Sequence, residues 1–235
     1  MNSTQRRKAY FLSGTMCDER LWTKTWEALS DHLDPHHIEI HDCRDFDEIN
    51  DRIHKETKEE KALLIGFSLG AYSAMNYALQ YPGNIESLVL IASSAEGLSP
   101  RELKLRKDYI SFLEEHSYLG ISQKRIEEFL GSRHVSNKEI VGTIKAMDRD
   151  LGKEVLINQL TATSYRTSLI DRLSEIKFPL LLIGGEEDNV IKTEDLNSIH
   201  AALPDSDLSF VKNSGHMIPL EQPQELGRLI LNWLS

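Results

Sequence analysis

Three groups of residues in this chain have the types and spacing needed for nucleophilic attack on a carbonyl. The first is Gly66-Phe67-Ser68-Leu69-Gly70. It follows the apolar run Ala62-Leu63-Leu64-Ile65 and precedes the helix-like Ala71-Tyr72-Ser73-Ala74-Met75. G-x-S-x-G alone is a short pattern. Between a strand and a helix it describes a sharp turn that leaves the serine hydroxyl exposed. Neighbouring chain must approach such a turn closely, and only small residues fit at 66 and 70. Ser68 is therefore the candidate nucleophile, and the start of the following helix favours negative charge beside it.

A serine hydroxyl needs a base. Of nine histidines, eight (His32, His36, His37, His41, His54, His116, His134 and His200) sit in no motif and are expected mostly at the surface. His216 lies in Asn213-Ser214-Gly215-His216-Met217-Ile218-Pro219, between the last strand-like and last helix-like segments. The acid is expected after the preceding strand, where Gly184-Gly185-Glu186-Glu187-Asp188 ends an apolar run. Asp188 is the candidate that would orient the imidazole, with Glu187 and then Glu186 as alternatives. Serine, acid, histidine is the chain order of one fold that carries this chemistry.

Charge developing on a carbonyl oxygen needs donors. The backbone N–H of Leu69 is one. The other is expected from Leu12-Ser13-Gly14-Thr15-Met16-Cys17-Asp18, at Thr15 or Met16. Cys17 has no base motif of its own, so it is the weaker nucleophile candidate.

These residues must be held by a scaffold, and its strands are visible as apolar runs: Ala62–Gly66, Leu88–Ala92 and Pro179–Gly185. Continuous apolar runs of this length suit parallel strands buried on both faces. Weaker candidates are Lys8–Leu12, His37–His41 and Asp207–Val211. Helical spacing appears over Leu21–Leu33, Leu69–Tyr81, Asp195–Leu203 and Gln224–Leu234, with breakers at Pro82-Gly83 and Pro204. The alternation predicts an α/β architecture with a doubly wound, mostly parallel sheet of about six strands. Residues 100–172 break the alternation with charged helical stretches. That is more than a crossover needs, so we expect a helical cap or lid at 100–172 inserted into a core of 1–99 and 173–235. Within it, Leu103, Tyr109, Phe112 and Leu113 are expected to pack on the core. Arg101, Lys104, Arg106 and Lys107 form a basic run that reads either as a solvated face or as contact with an anionic substrate or acidic carrier.

The chain has 235 residues, with 27 Lys plus Arg against 37 Asp plus Glu, for a net charge of −10. This balance opposes nucleic-acid binding. The apolar stretch after the N-terminal basic residues is too short for a signal peptide, and no run has the length of a membrane span. Two cysteines, Cys17 and Cys43, make neither a disulfide framework nor a metal-ligand set. The expectation is a cytoplasmic protein with free thiols and no metal or organic cofactor.

Taken together, Ser13-Gly14-Thr15, Trp22, Gly66–Gly70, Asp188, Gly215-His216, Glu221 and Pro223 resemble the AB-hydrolase-1 group of α/β-hydrolases. That group includes small carboxylesterases, pimeloyl-carrier-protein methyl ester esterases and the carbon–carbon lyase MenH. The family usually carries His-Gly where this chain has Ser13-Gly14, which removes one loop-ordering imidazole. The resemblance implies Thr15 as the second donor and a sheet lacking the family's first hairpin. It implies a serine hydrolase that cleaves a carboxylic ester through an acyl-enzyme with Ser68, Asp188 and His216. Its substrate would be a small-molecule ester or acyl group, free or on an acidic carrier protein. A thioesterase or lyase on the same triad is the alternative, and a non-catalytic ligand-binding protein that kept the fold is a further one.

Overall fold

A computed structural model describes residues 6–58 and 60–235. Its centre is a six-stranded sheet in the order β2-β1-β3-β4-β5-β6. The strands are β1 Arg7–Leu12, β2 Leu33–Ile38, β3 Ala62–Phe67, β4 Ile85–Ile91, β5 Leu180–Gly185 and β6 Asp207–Val211. Every neighbouring pair is parallel.

Residues of β3 and β5 are buried throughout, because helices cover both faces and the period-2 alternation of a strand then divides apolar side chains between two cores. Tyr10, Leu12, Leu64, Leu88, Leu90, Leu180 and Leu182 join one core. Ala9, Phe11, Leu63, Ile65, Val89, Ile91, Leu181 and Ile183 join the other. Helices α2 (Phe46–Thr57), α3 (Leu69–Gln80) and α7 (Thr193–Ala202) close the first; α1 (Thr23–Leu29) and α9 (Pro223–Leu234) close the second.

Two expectations are corrected here. The strand expected at His37–His41 lies at Leu33–Ile38, because β1 ends at Leu12 and its partner stops opposite it, at Ile38. Pro35 sits within β2, which is tolerated because β2 is an edge strand. The expected helix Leu21–Leu33 shortens to a 3-10 turn at Glu19–Leu21 followed by α1. Helix α2 had no counterpart in the sequence pattern. Its buried face mixes Ile49 and Ile53 with Asn50 and Thr57, which dilutes the apolar stripe, although Asp45 caps it by accepting from the N–H of Glu48.

Between β4 and β5 the described residues hold no strand, only α4 (Pro100–Glu115), α5 (Gln123–Phe129), α6 (Lys138–Ser164) and a 3-10 turn. Helix α6 is broken at Gly152, where φ is 74°. Of the α4 residues expected to pack on the core, only Leu113 is buried; Leu103 is half-buried, and Tyr109 and Phe112 are 44% and 52% exposed. The one buried residue of α4 shows why: the helix seats only a narrow stripe against its neighbours. A short helix α8 (Ile218–Glu221) precedes α9. Among the described residues, no helix is long and apolar enough to cross a membrane.

Candidate active site

Ser68 connects β3 to α3 with φ 51° and ψ −112°, a conformation that a side-chain-bearing residue holds only under constraint. The constraints are visible. The Ser68 N–H donates to the Ile91 carbonyl at 2.9 Å. Its carbonyl accepts from the N–H groups of Ala71 and Tyr72 and from Ser93 Oγ at 3.1 Å. A Cβ at Gly66 would lie 2.5 Å from Ala71 Cα, and one at Gly70 would lie 2.2 Å from the Leu12 carbonyl oxygen. Neither position admits a larger residue without moving backbone.

The structure brings Ser68, His216 and Asp188 into one hydrogen-bonded series. His216 Nε2 is 3.2 Å from Ser68 Oγ, and His216 Nδ1 is 2.9 Å from Asp188 Oδ2. The His216 and Asp188 side chains are 5% and 2% exposed. The other Asp188 oxygen accepts from the N–H groups of Val190 and Ile191 at 2.7 and 2.9 Å. A carboxylate oxygen on Nδ1 requires the proton to sit there, which leaves Nε2 as an acceptor for the serine hydroxyl. The imidazole lies between the rings of Phe67 and Phe129, with centroids 5.0 and 5.8 Å away, and the His216 N–H donates to the Phe129 carbonyl at 2.7 Å. Helix α5 therefore helps position the ring.

The neighbouring acids have other tasks. Glu187 accepts from the Ser132 N–H at 2.6 Å, and Glu186 is exposed. Glu221 is buried and accepts from the N–H groups of Gly131 and Gly215 at 2.7 and 3.1 Å, so it ties the histidine loop to the α5 end. Burial raises its carboxyl from the ordinary value.

In the loop after β1, Ser13 Oγ donates to the Asp18 carbonyl and accepts from Trp22 Nε1 at 3.0 Å. The hydroxyl has one proton, so His37 Nε2, 2.9 Å away, is a donor to it. Burial, reinforced by the charge of His41, lowers His37 to about 4, which keeps it neutral. β2 thereby places an imidazole against this loop. His37 and His41 were expected at the surface; His37 is half-buried, and His41 is buried with Nε2 2.9 Å from the Cys17 carbonyl. The Cys17 thiol is buried and pushed up to about 12 by that burial.

The two donor candidates of this loop separate. The Met16 N–H donates to Gln159 Oε1 at 2.9 Å, at a Met16 φ of 55°. The N–H groups of Thr15 and Leu69 have no protein acceptor among the described residues. Gln159 and Phe129 carried no motif in the sequence, and Glu221 stood only among the residues of the family resemblance, with no task of its own. Only the helical spacing of the 100–172 segment hinted that its residues would reach the loop.

A parallel sheet, a strained serine at a strand-to-helix turn and a histidine after the last strand define an α/β-hydrolase. Residues 36–223 match the family described as serine aminopeptidase, S33, and the chain belongs to that family. A Bacillus subtilis (strain 168) protein assigned as a 2-succinyl-6-hydroxy-2,4-cyclohexadiene-1-carboxylate synthase is 28% identical over 201 residues, 78% of this chain and 69% of that protein. A 2-hydroxy-6-oxononadienedioate/2-hydroxy-6-oxononatrienedioate hydrolase of Burkholderia vietnamiensis is 28% identical over 185 residues, 74% of this chain and 62% of that protein. A thermophilic esterase from Thermogutta terrifontis superposes with a TM-score of 0.84 at 19% identity, covering 97% of this chain and 89% of that one, and so shares its fold. The chain is a hydrolase of the α/β-hydrolase superfamily.

Proposed function

We propose that the protein hydrolyses a carboxylic ester through an acyl-enzyme. The observation that carries this reading is the Ser68–His216–Asp188 series, with distances of 3.2 and 2.9 Å. Ser68 Oγ attacks the carbonyl carbon while its proton passes to His216 Nε2. The N–H groups of Leu69 and Thr15 take the oxyanion. His216 then returns the proton to the departing alkoxide as the acyl–Oγ bond persists. Water, deprotonated by the same nitrogen, releases the acid and restores Ser68. Asp188 holds the imidazole and balances its charge when protonated.

In this reading residues 100–172 cap the site and select the substrate, a small ester or acyl group, free or on an acidic carrier. The protein acts in the cytoplasm, consistent with its two unpaired buried cysteines. Ser68→Ala assayed with p-nitrophenyl esters of graded length is the test. Loss on the order of 10⁴-fold or more in kcat is expected; retained turnover excludes Ser68 as nucleophile.

A second reading, carbon–carbon cleavage on the same triad, is favoured by the name of the dioate hydrolase relative, whose substrate carries ketone and carboxylate groups and no ester. An enzyme inert on every ester and thioester, but active on a vinylogous diketone, would select it.

A further inference from the structure

Among the described residues, five arginines are half-buried: Arg7, Arg20, Arg52, Arg106 and Arg166. Three are neutralised in the ordinary way. Arg7 meets Glu86 at 3.0 Å, Arg20 meets Asp150 at 2.7 Å and Arg52 meets Asp42 at 3.0 Å. Arg106 and Arg166 have no carboxylate within 4.0 Å. Arg106 places one N–H on the neutral hydroxyl of Thr163. Arg166 lies over the Tyr72 ring, 5.5 Å from its centroid, and its Nε is buried without an acceptor. Burial lowers both guanidiniums from their ordinary value, and for Arg106 the charge of Arg166 adds to the effect. Glu102, Asp195 and Glu96 act on Arg166 only from a distance, and Glu102 spends its carboxylate on Ser99.

The location matters as much as the missing charge. Thr163 is one helical turn past Gln159, the residue that holds the Met16 N–H. Tyr72 is one turn past Ser68 on α3. The Gln159 side-chain nitrogen is also a buried donor without an acceptor. Of the basic run at the start of α4, Arg101, Lys104 and Lys107 are exposed, and Lys104 pairs with Asp108. Only Arg106 turns inward. Unpaired cations and donors in a half-buried place are costly unless a ligand supplies the acceptors.

We propose that Arg106 and Arg166 form the seat of a carboxylate carried by the substrate, so that the scissile ester belongs to a molecule with a second, free carboxyl group. The planar guanidinium fork matches a carboxylate. This inference rests on the acyl-transfer reading of Ser68 and deepens it by naming a substrate class.

The test compares monomethyl and dimethyl esters of succinate, glutarate and adipate. The wild-type enzyme should turn over a half-ester at least about tenfold better in kcat/KM than its diester. Arg106→Met and Arg166→Met should each raise KM for half-esters about 10- to 100-fold, the usual worth of a charge-assisted hydrogen bond, and leave diester kcat/KM within about threefold. Calorimetric binding of the half-esters to Ser68→Ala gives a reading without turnover. No preference in the wild-type enzyme, or equal loss of both ester types in the variants, overturns the proposal. Half-ester binding to Ser68→Ala that the arginine changes abolish, with no hydrolysis of any ester, supports the carboxylate seat and rejects ester hydrolysis. Diester hydrolysis with no half-ester binding does the reverse.

Discussion

The side-chain carbonyl of Gln159 accepts the backbone N–H of Met16 across 143 positions of sequence. A helix that lies between β4 and β5 in the chain thereby holds the loop in which the preceding residue, Thr15, has an N–H without a protein acceptor among the described residues. Met16 stands at a positive φ, so the loop depends on such a partner to keep its shape. Gln159→Met, which keeps length and removes the acceptor, should lower kcat for a neutral p-nitrophenyl ester about tenfold with KM changed less than about threefold. Gln159→Glu keeps an acceptor and should retain most of the rate. Steady-state kinetics on both variants checks this; equal loss in both, or a loss confined to KM, counts against a positioning role.

Asp188 and Glu187 are adjacent in sequence and opposite in task. Asp188→Asn should reduce kcat on the order of 10⁴-fold, because an amide at 2.9 Å from Nδ1 no longer selects the tautomer that accepts from Ser68. Glu187→Gln, whose carboxylate meets Ser132 instead, should stay within about threefold of wild type. The pair of kcat values decides between the two acids, and a reversed ranking would assign the role to Glu187.

His37 gives the fold an acid sensitivity. Its ordinary value is 6.5, and burial with the His41 charge lowers it to about 4 in the folded chain. The unfolded chain therefore takes up a proton below about 6.5 that the folded chain refuses until about 4. The stability held by neutral His37 is complete above that window and falls as pH drops through it, by on the order of 3 kcal/mol. Urea unfolding of wild type and His37→Gln at stepped pH should show a shallower slope in the variant across this window. Parallel profiles would mean that His37 titrates alike in both states.

Both thiols should be silent in the folded protein. Burial pushes Cys17 up to about 12 and Cys43 up to about 11, and the thiolate is the reactive form. Titration with an aromatic disulfide should find neither thiol at neutral pH in native protein and both after denaturation in guanidinium. Fast native labelling of Cys17, blocked by Cys17→Ser, would reopen it as a nucleophile.

What the sequence determined by itself was local or periodic. The runs at β3, β4 and β5 are apolar throughout because both faces of each strand are covered, so they stand out in one dimension. The elbow at Gly66–Gly70 is legible because its glycines stand at fixed spacing around the serine, although the backbone that crowds Gly70 is that of Leu12 and Ser13, far away in the chain. The order of Ser68, Asp188 and His216 follows from each sitting at the end of a strand. Tertiary structure decided everything that rests on partners far apart in the chain. It moved β2 to Leu33–Ile38 through its register with β1. It drew His37 to Ser13, Glu187 to Ser132, Gln159 to Met16 and Arg106 inward to Thr163. Those side chains sit in ordinary polar stretches, and their tasks arise only where burial takes water away and leaves each group to find its partner in the protein.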